Sequence, residues 1–223
     1  MGMTVVYSAI YGDFDRSRSQ PVPVRLFSEA THLYPLGEPA DPRLAAKWWK
    51  VRPDLACPDA DITIWIDGSM DILRPDFVDL CVEALDDADA IFVRHPTRDD
   101  IYQEAAASVA LAKYRGQPLL AQVEAYRTIL AHPDHWGLMH AGVLVRRNND
   151  RIRALNEAWW TEIARWSLQD QLSLPPMLAL SDVRYRWFDV SPIDYDEFGV
   201  PSLHWVHWGR HREPDVWLTQ EAI

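Results

Sequence analysis

The stretch Asp61-Ile62-Thr63-Ile64-Trp65-Ile66-Asp67-Gly68 constrains this chain more than any other. Five apolar or β-branched residues in a row, bounded by acids, are too few for a buried helix and well suited to a buried strand. The run ends abruptly at a carboxylate and a glycine, so Asp67 is displayed at the strand end while the backbone can turn sharply around it. In open α/β sheets ligands gather at the carboxyl ends of strands, which makes this end a candidate site.

The neighbouring segments predict the rest of such a sheet. Thr4 to Ile10 reads as a first strand broken at Tyr11-Gly12-Asp13, and Val22 to Ser28 as a second. A helix begins at Pro42, with proline in its first turn. Further helices are expected over Pro75 to Leu85, Asp99 to Arg115 and Leu119 to Leu130, with a buried strand over Ala90 to Val93. Met139 to Arg146 reads as another strand. Asn149 can cap an amphipathic helix in which Ile152, Leu155, Trp159, Ile163 and Trp166 recur at spacings of three and four. A helical piece beyond Asp170 and a short strand near Tyr185 to Asp189 complete the alternation. Strands separated by helices predict an α/β sandwich with a largely parallel sheet.

Composition narrows the function classes. The 223 residues fit one domain, and 48% apolar against 25% charged residues supports a packed core. A net charge of −11 disfavours non-specific gripping of a phosphate backbone. Cys57 and Cys81 are the only cysteines and form no CxxC, so no disulfide framework is required. No run approaches the ~20 apolar residues of a membrane span, and no leader is visible, so the expected compartment is the cytoplasm. Eleven tryptophans offer faces for sugars as well as core material.

Several groups can carry chemistry. Asp67 and Asp71 near one strand end suit a hard divalent cation, although an acid there also serves as a turn former or helix cap. Arg43, Lys47 and Lys50 share a helical face that could hold a diphosphate or simply be solvated. His95 and Arg98 follow the Ala90 to Val93 strand, where the planar fork of Arg98 suits a phosphate or carboxylate. Asp170 and Gln171 place a carboxylate and an amide past the amphipathic helix, available to an acceptor hydroxyl or as a base. The late histidines His204 and His207 are candidate metal ligands.

In order along the chain, Val5-Val6-Tyr7-Ser8-Ala9-Ile10-Tyr11-Gly12-Asp13-Phe14-Asp15, Arg43 with Ala46-Lys47 and Lys50, Ile64-Trp65-Ile66-Asp67-Gly68, His95-Pro96 with Arg98, Tyr102-Gln103-Glu104-Ala105, Trp159-Trp160 with Glu162, and Asp170-Gln171-Leu172-Ser173 resemble the glycosyltransferase-like domain family typified by plant turgor-defect and mucilage-related proteins. More distantly the layout is similar to glycogenin-like, metal-dependent glycosyltransferases of the GT-A type, with Asp67, Gly142, Asp170-Gln171 and His207-Trp208-Gly209 at the corresponding places. The central motif departs from that pattern: it reads Asp67-Gly68-Ser69, without a second aspartate two residues on.

The resemblance implies a single GT-A-like domain over residues 1–223, with the tail from about 191 folding back on the active site. It implies a nucleotide-sugar donor, a UDP-sugar first, held by Ala9, Tyr11, Gly12, Asp13, Arg43, Lys47, Trp65, Ile66, Asp67, Gly68, His95 and Arg98. Mn²⁺ or Mg²⁺ would sit on Asp67 with His207 or His204, and Asp67, Asp170 and Gln171 would serve the transfer of a hexose or pentose. The acceptor stays open among a saccharide, a protein side chain, a small metabolite and a modified DNA base, the acidic balance weighing against the last. Two other readings remain: a metal-dependent hydrolase of the ceramidase kind, and a non-catalytic carbohydrate-binding module.

Overall fold

The structure, a computed structural model, describes residues 2–17, 19–32, 37, 41–194 and 206–208. The chain opens with β1 (Thr4–Ala9) and β2 (Val24–Phe27), followed by α1 (Pro42–Val51) and the single turn α2 (Pro53–Ala56). Next come β3 (Ile62–Ile66), β4 (Met70–Ile72), α3 (Phe77–Leu85), β5 (Ala90–Arg94), α4 (Ile101–Ser108) and α5 (Leu119–Ile129). The second half holds β6 (Met139–Arg147), α6 (Asp150–Arg165), α7 (Asp170–Ala179), β7 (Tyr185–Trp187), β8 (Ile193–Asp194) and β9 (Val206–Trp208).

Six strands form the central sheet in the order β2-β1-β3-β6-β5-β7. β1 runs parallel to β2 and β3, and β5 parallel to β7, whereas β6 is antiparallel to both of its neighbours. The sheet is therefore mostly parallel, as expected. Strand alternation divides the core. Tyr7 and Trp65 face one side, where they pack with Ala45 of α1, Trp159 of α6 and Leu174 of α7. Val6, Ile64 and Ile66 face the other and meet Phe77, Cys81 and Leu85 of α3. Both thiols are buried and unpaired with each other.

Local chemistry explains the element ends. The Asp41 carboxylate accepts from the Arg43 N–H at the start of α1, and Pro42 fills the position that needs no donor. Asn149 caps α6 through the Ile152 N–H. In the turn after β1, Gly12 adopts φ +67°, where a Cβ would also come within 2.9 Å of Pro42, so the turn needs glycine.

Two expectations change. The helix predicted from Asp99 to Arg115 starts at Ile101 under an Asp100 cap and ends at Ser108, with a separate 3₁₀ turn over Ala112–Tyr114. Trp166 lies beyond α6 as its C-cap and packs with the α4–α5 cluster instead of the sheet-facing row. The helical piece expected beyond Asp170 is present as α7, which carries Pro175 and Pro176 in its interior, both buried, where each removes a backbone donor.

A second, three-stranded sheet follows the turn after Asp67. β4 pairs antiparallel with β9, setting His207 opposite Asp71, and β8 pairs parallel with β9. Backbone from the late segment thus lies beside the strand that follows Asp67. His204 and the rest of the tail lie outside the described residues, as do the side chains of β9.

Candidate active site

The carboxyl ends of β1 and β3 and the amino end of α7 enclose a cleft of about 580 Å³. Its floor is an ionic cluster drawn from three distant parts of the chain. The Lys50 ammonium lies 3.1 Å from Asp67 Oδ1 and 2.8 Å from Asp170 Oδ2. Lys47 Nζ sits 3.0 Å from Asp170 Oδ1. Lys47 and Lys50 are one helical turn apart, which is why a single face of α1 delivers both.

Asp67 is fixed from below by its own strand. The Trp65 indole N–H donates to Asp67 Oδ1 at 2.7 Å, so the second oxygen carries no hydrogen bond among the described residues. The carboxylate is 36% exposed toward the cleft. Asp170 is nearly sealed. Its Oδ1 pairs with Lys47, while Oδ2 touches Lys50 without an aligned hydrogen bond.

Burial and charge act in opposite directions here. For Asp170 burial raises the pKa, but Lys47 and Lys50 outweigh it and hold the carboxyl well below its usual range. Asp67 behaves likewise, with Lys50 the main opposing charge. Burial would depress Lys50, yet Asp170 and Asp67 raise it overall; in Lys47 burial wins and the pKa falls. The cluster therefore sets two basic side chains against two acidic ones.

His140, near the start of β6, lines the same cleft. Burial lowers its pKa to about 4, so it is neutral near pH 7. Gln171 donates from Nε2 to the Met139 carbonyl at 2.7 Å and ties the start of α7 to β6. Arg43 lines the mouth, gripping Asp41 and donating to the Lys113 carbonyl at 2.5 Å.

Of the residues expected around a donor, the structure brings Ala9, Tyr11, Asp13, Arg43, Lys47, Trp65, Asp67, Gly68, Asp170 and Gln171 to this one cleft. Ile66 instead borders a smaller cavity of about 200 Å³ on the opposite face of the sheet. Gly12 turns away to donate to Glu29 at 2.5 Å. His95 and Arg98 do not line the cleft. Arg98 pairs at 2.5 Å with the buried Glu104, which also binds Ser108 and Gln169. Burial lowers His95 to about 3, with the Arg98 charge adding to the effect. The pair thus braces α4 against the start of α7, a contact its place after a strand did not disclose.

The reading of the sequence missed Lys50's reach to Asp170, His140, and the Lys113 and Tyr114 that line the cleft from the 3₁₀ turn. The histidine at the entry of a predicted strand was the one available signal. Among the described residues, the grouping of three candidate metal ligands is Asp99, Asp100 and His135 at the start of α4. There Asp100 already caps the helix and Asp99 pairs with His135 at 2.9 Å. No helix among the described residues is long and apolar enough to cross a membrane.

The chain is a mixed α/β domain whose six-stranded, mostly parallel sheet opens into a charged cleft at its strand ends. The chain belongs to the TOD1/MUCI70, glycosyltransferase-like domain family, whose sequence profile matches residues 40–187. No curated protein matches the sequence. Among solved structures, the bifunctional glycosyltransferase WbbM in its apo form is similar at 13% identity and a TM-score of 0.45 over 74% of this chain. This chain spans only 28% of WbbM. Mouse xyloside xylosyltransferase 1, also apo, is similar at 12% identity and a TM-score of 0.43, covering 83% of this chain and 75% of its own.

Proposed function

We propose that the protein transfers a sugar from a nucleotide-sugar donor to a hydroxyl acceptor, with the chemistry at the Lys47, Lys50, Asp67 and Asp170 cluster. The observation that carries this reading is the bridging of Asp67 and Asp170 by Lys50 on the floor of the cleft. Departure of a nucleotide diphosphate concentrates negative charge on phosphate oxygens. Fixed cations in a partly dewatered cleft stabilise such charge far better than solvent does. Lys47 and Lys50 would take that role, with Arg43 at the mouth of the cleft.

The donor set also fits a divalent cation. Both lysines are already engaged by Asp67 and Asp170, so an arriving diphosphate would bring negative charge that the cluster alone does not balance. Asp67 keeps one carboxylate oxygen without a hydrogen bond among the described residues, which suits a hard ion that takes most of its ligands from phosphate and water. Mn²⁺ or Mg²⁺ there, with His207 or His204 as further ligand, would supply Lewis-acid stabilisation of the leaving diphosphate.

The chain's own groups do the remainder. Asp170 stays ionised and nearly sealed, so its role is to hold Lys47 and Lys50 in place on the floor of the cleft. Trp65 and Lys50 lock the rotamer of Asp67. Asp13 and Tyr11, which line the cleft, would meet the nucleotide.

A thermal-shift screen of UDP-, GDP-, ADP- and CMP-linked sugars, with and without Mn²⁺, tests the proposal, because a ligand of the native state raises the melting temperature by mass action. At least one donor should raise it in the wild type and not in Lys50→Met. A flat response across the panel would remove the transferase reading.

A further inference from the structure

We infer that Arg146, which has no part in the walls of the cleft, is a positioning residue that sets the Lys50 ammonium between Asp67 and Asp170. The inference rests on the proposed use of that cluster. Arg146 lies on β6, is 1% exposed, and directs its guanidinium at the backbone of Lys50. Its Nη2 donates to the Lys50 carbonyl at 2.7 Å and to the Tyr7 hydroxyl oxygen at 2.6 Å. The Tyr7 hydroxyl in turn donates to the same carbonyl at 2.9 Å, and Nη1 reaches Asn156 Oδ1 at 3.1 Å.

Each of those partners is a neutral oxygen. A buried cation without a paired acid costs several kcal/mol, and an apolar side chain of similar volume would fill the space more cheaply. What offsets the cost is its location. The Lys50 carbonyl belongs to the last turn of α1, where backbone acceptors are unpaired and the helix dipole is negative. Arg146 Nε has no partner, so the guanidinium is aimed by the carbonyl and the phenol, not by saturation of its donors.

The consequence for the site is geometric. The residue whose carbonyl is gripped from below is the one whose ammonium bridges two carboxylates above. Two donors on one carbonyl fix where the Lys50 side chain begins. A displacement of about 1 Å there would break contacts of the kind that can cost up to about a hundredfold in rate.

The test compares Arg146→Met, Arg146→Lys and Asn156→Ala in the full chain. Readouts are the Trp65 indole N–H resonance, assigned with Trp65→Phe, together with thermal stability and the separate kcat and KM for the donor found by the screen. The indole bonds Asp67, so it reports the cluster independently of turnover. Arg146→Met should move that resonance and lower kcat roughly tenfold to a hundredfold with little change in KM. Arg146→Lys should restore part of both, and Asn156→Ala should lose stability while leaving both in place. Wild-type resonance and kcat in Arg146→Met, or the same changes in Asn156→Ala, would overturn the inference. Should Arg146→Met fail to fold, Tyr7→Phe removes one donor to the carbonyl and must shift the resonance in the same direction; an unmoved signal counts against the inference. If the wild type turns over no nucleotide sugar, the transferase reading fails, yet the resonance still decides the role of Arg146.

Discussion

Lys50 and Asp170 are 120 positions apart in sequence, yet their charged atoms meet at 2.8 Å on the floor of the cleft, both side chains at least 95% buried. α1 brings the cation and the first turn of α7 the anion, and Asp67 shares the cation from the end of β3.

Removing the shared cation leaves two carboxylates without their common partner. Lys50→Met should therefore destabilise the fold by about 3 kcal/mol, as breaking a buried pair from one side does. Urea denaturation at pH 7 checks this. Lys47→Met should cost less, because Asp170 keeps Lys50.

Stability should fall on mild acidification. His140 has a folded-state pKa of about 4 and His95 of about 3, both below the 6.5 of a free imidazole. The unfolded chain therefore binds protons first, and the stability due to these two neutral side chains is complete above about pH 6.5 and lost progressively as pH falls toward the folded values. Denaturation midpoints at pH 7, 6 and 5 should decline, and His140→Phe should flatten the curve. NMR should find the His140 ring still neutral at pH 5.

Gly142 leaves no room for a side chain. A Cβ there would lie 2.1 Å from Met70 Cε and 2.7 Å from His140 Cε1, so in Gly142→Ala the Met70 and His140 side chains must shift. The expected loss is about 1–3 kcal/mol, typical of overpacking. Thermal denaturation measures it, and the His140 proton shifts should move with it.

The Glu104 network should behave as a brace. Glu104→Ala removes the acceptor used by Arg98, Ser108 and Gln169, and leaving such buried donors unpaired costs about 1–3 kcal/mol or more. Hydrogen exchange should accelerate at the start of α7, next to Asp170.

Features encoded by local pattern were legible in the sequence. The apolar run closed by Asp67 gave away β3, the spacing of Ile152, Leu155, Trp159 and Ile163 gave α6, and the four-and-three spacing of Arg43, Lys47 and Lys50 put them on one face. What depended on tertiary contact was not. Nothing in spacing tells that Lys50 reaches Asp170, or that Arg98 turns to Glu104 instead of a ligand. β4 is only three residues long and makes a strand by pairing with β9, a partner far along the chain.

Isothermal titration of nucleotide sugars in the presence of Mn²⁺ tests the central claim most directly, using wild type, Lys47→Met, Lys50→Met and Asp67→Asn. The account predicts saturable binding of one donor by the wild type, weakened about tenfold or more in both lysine variants, as expected for loss of a charge-assisted contact to phosphate. Absence of binding in the wild type, or affinity that survives both lysine substitutions unchanged, would contradict it.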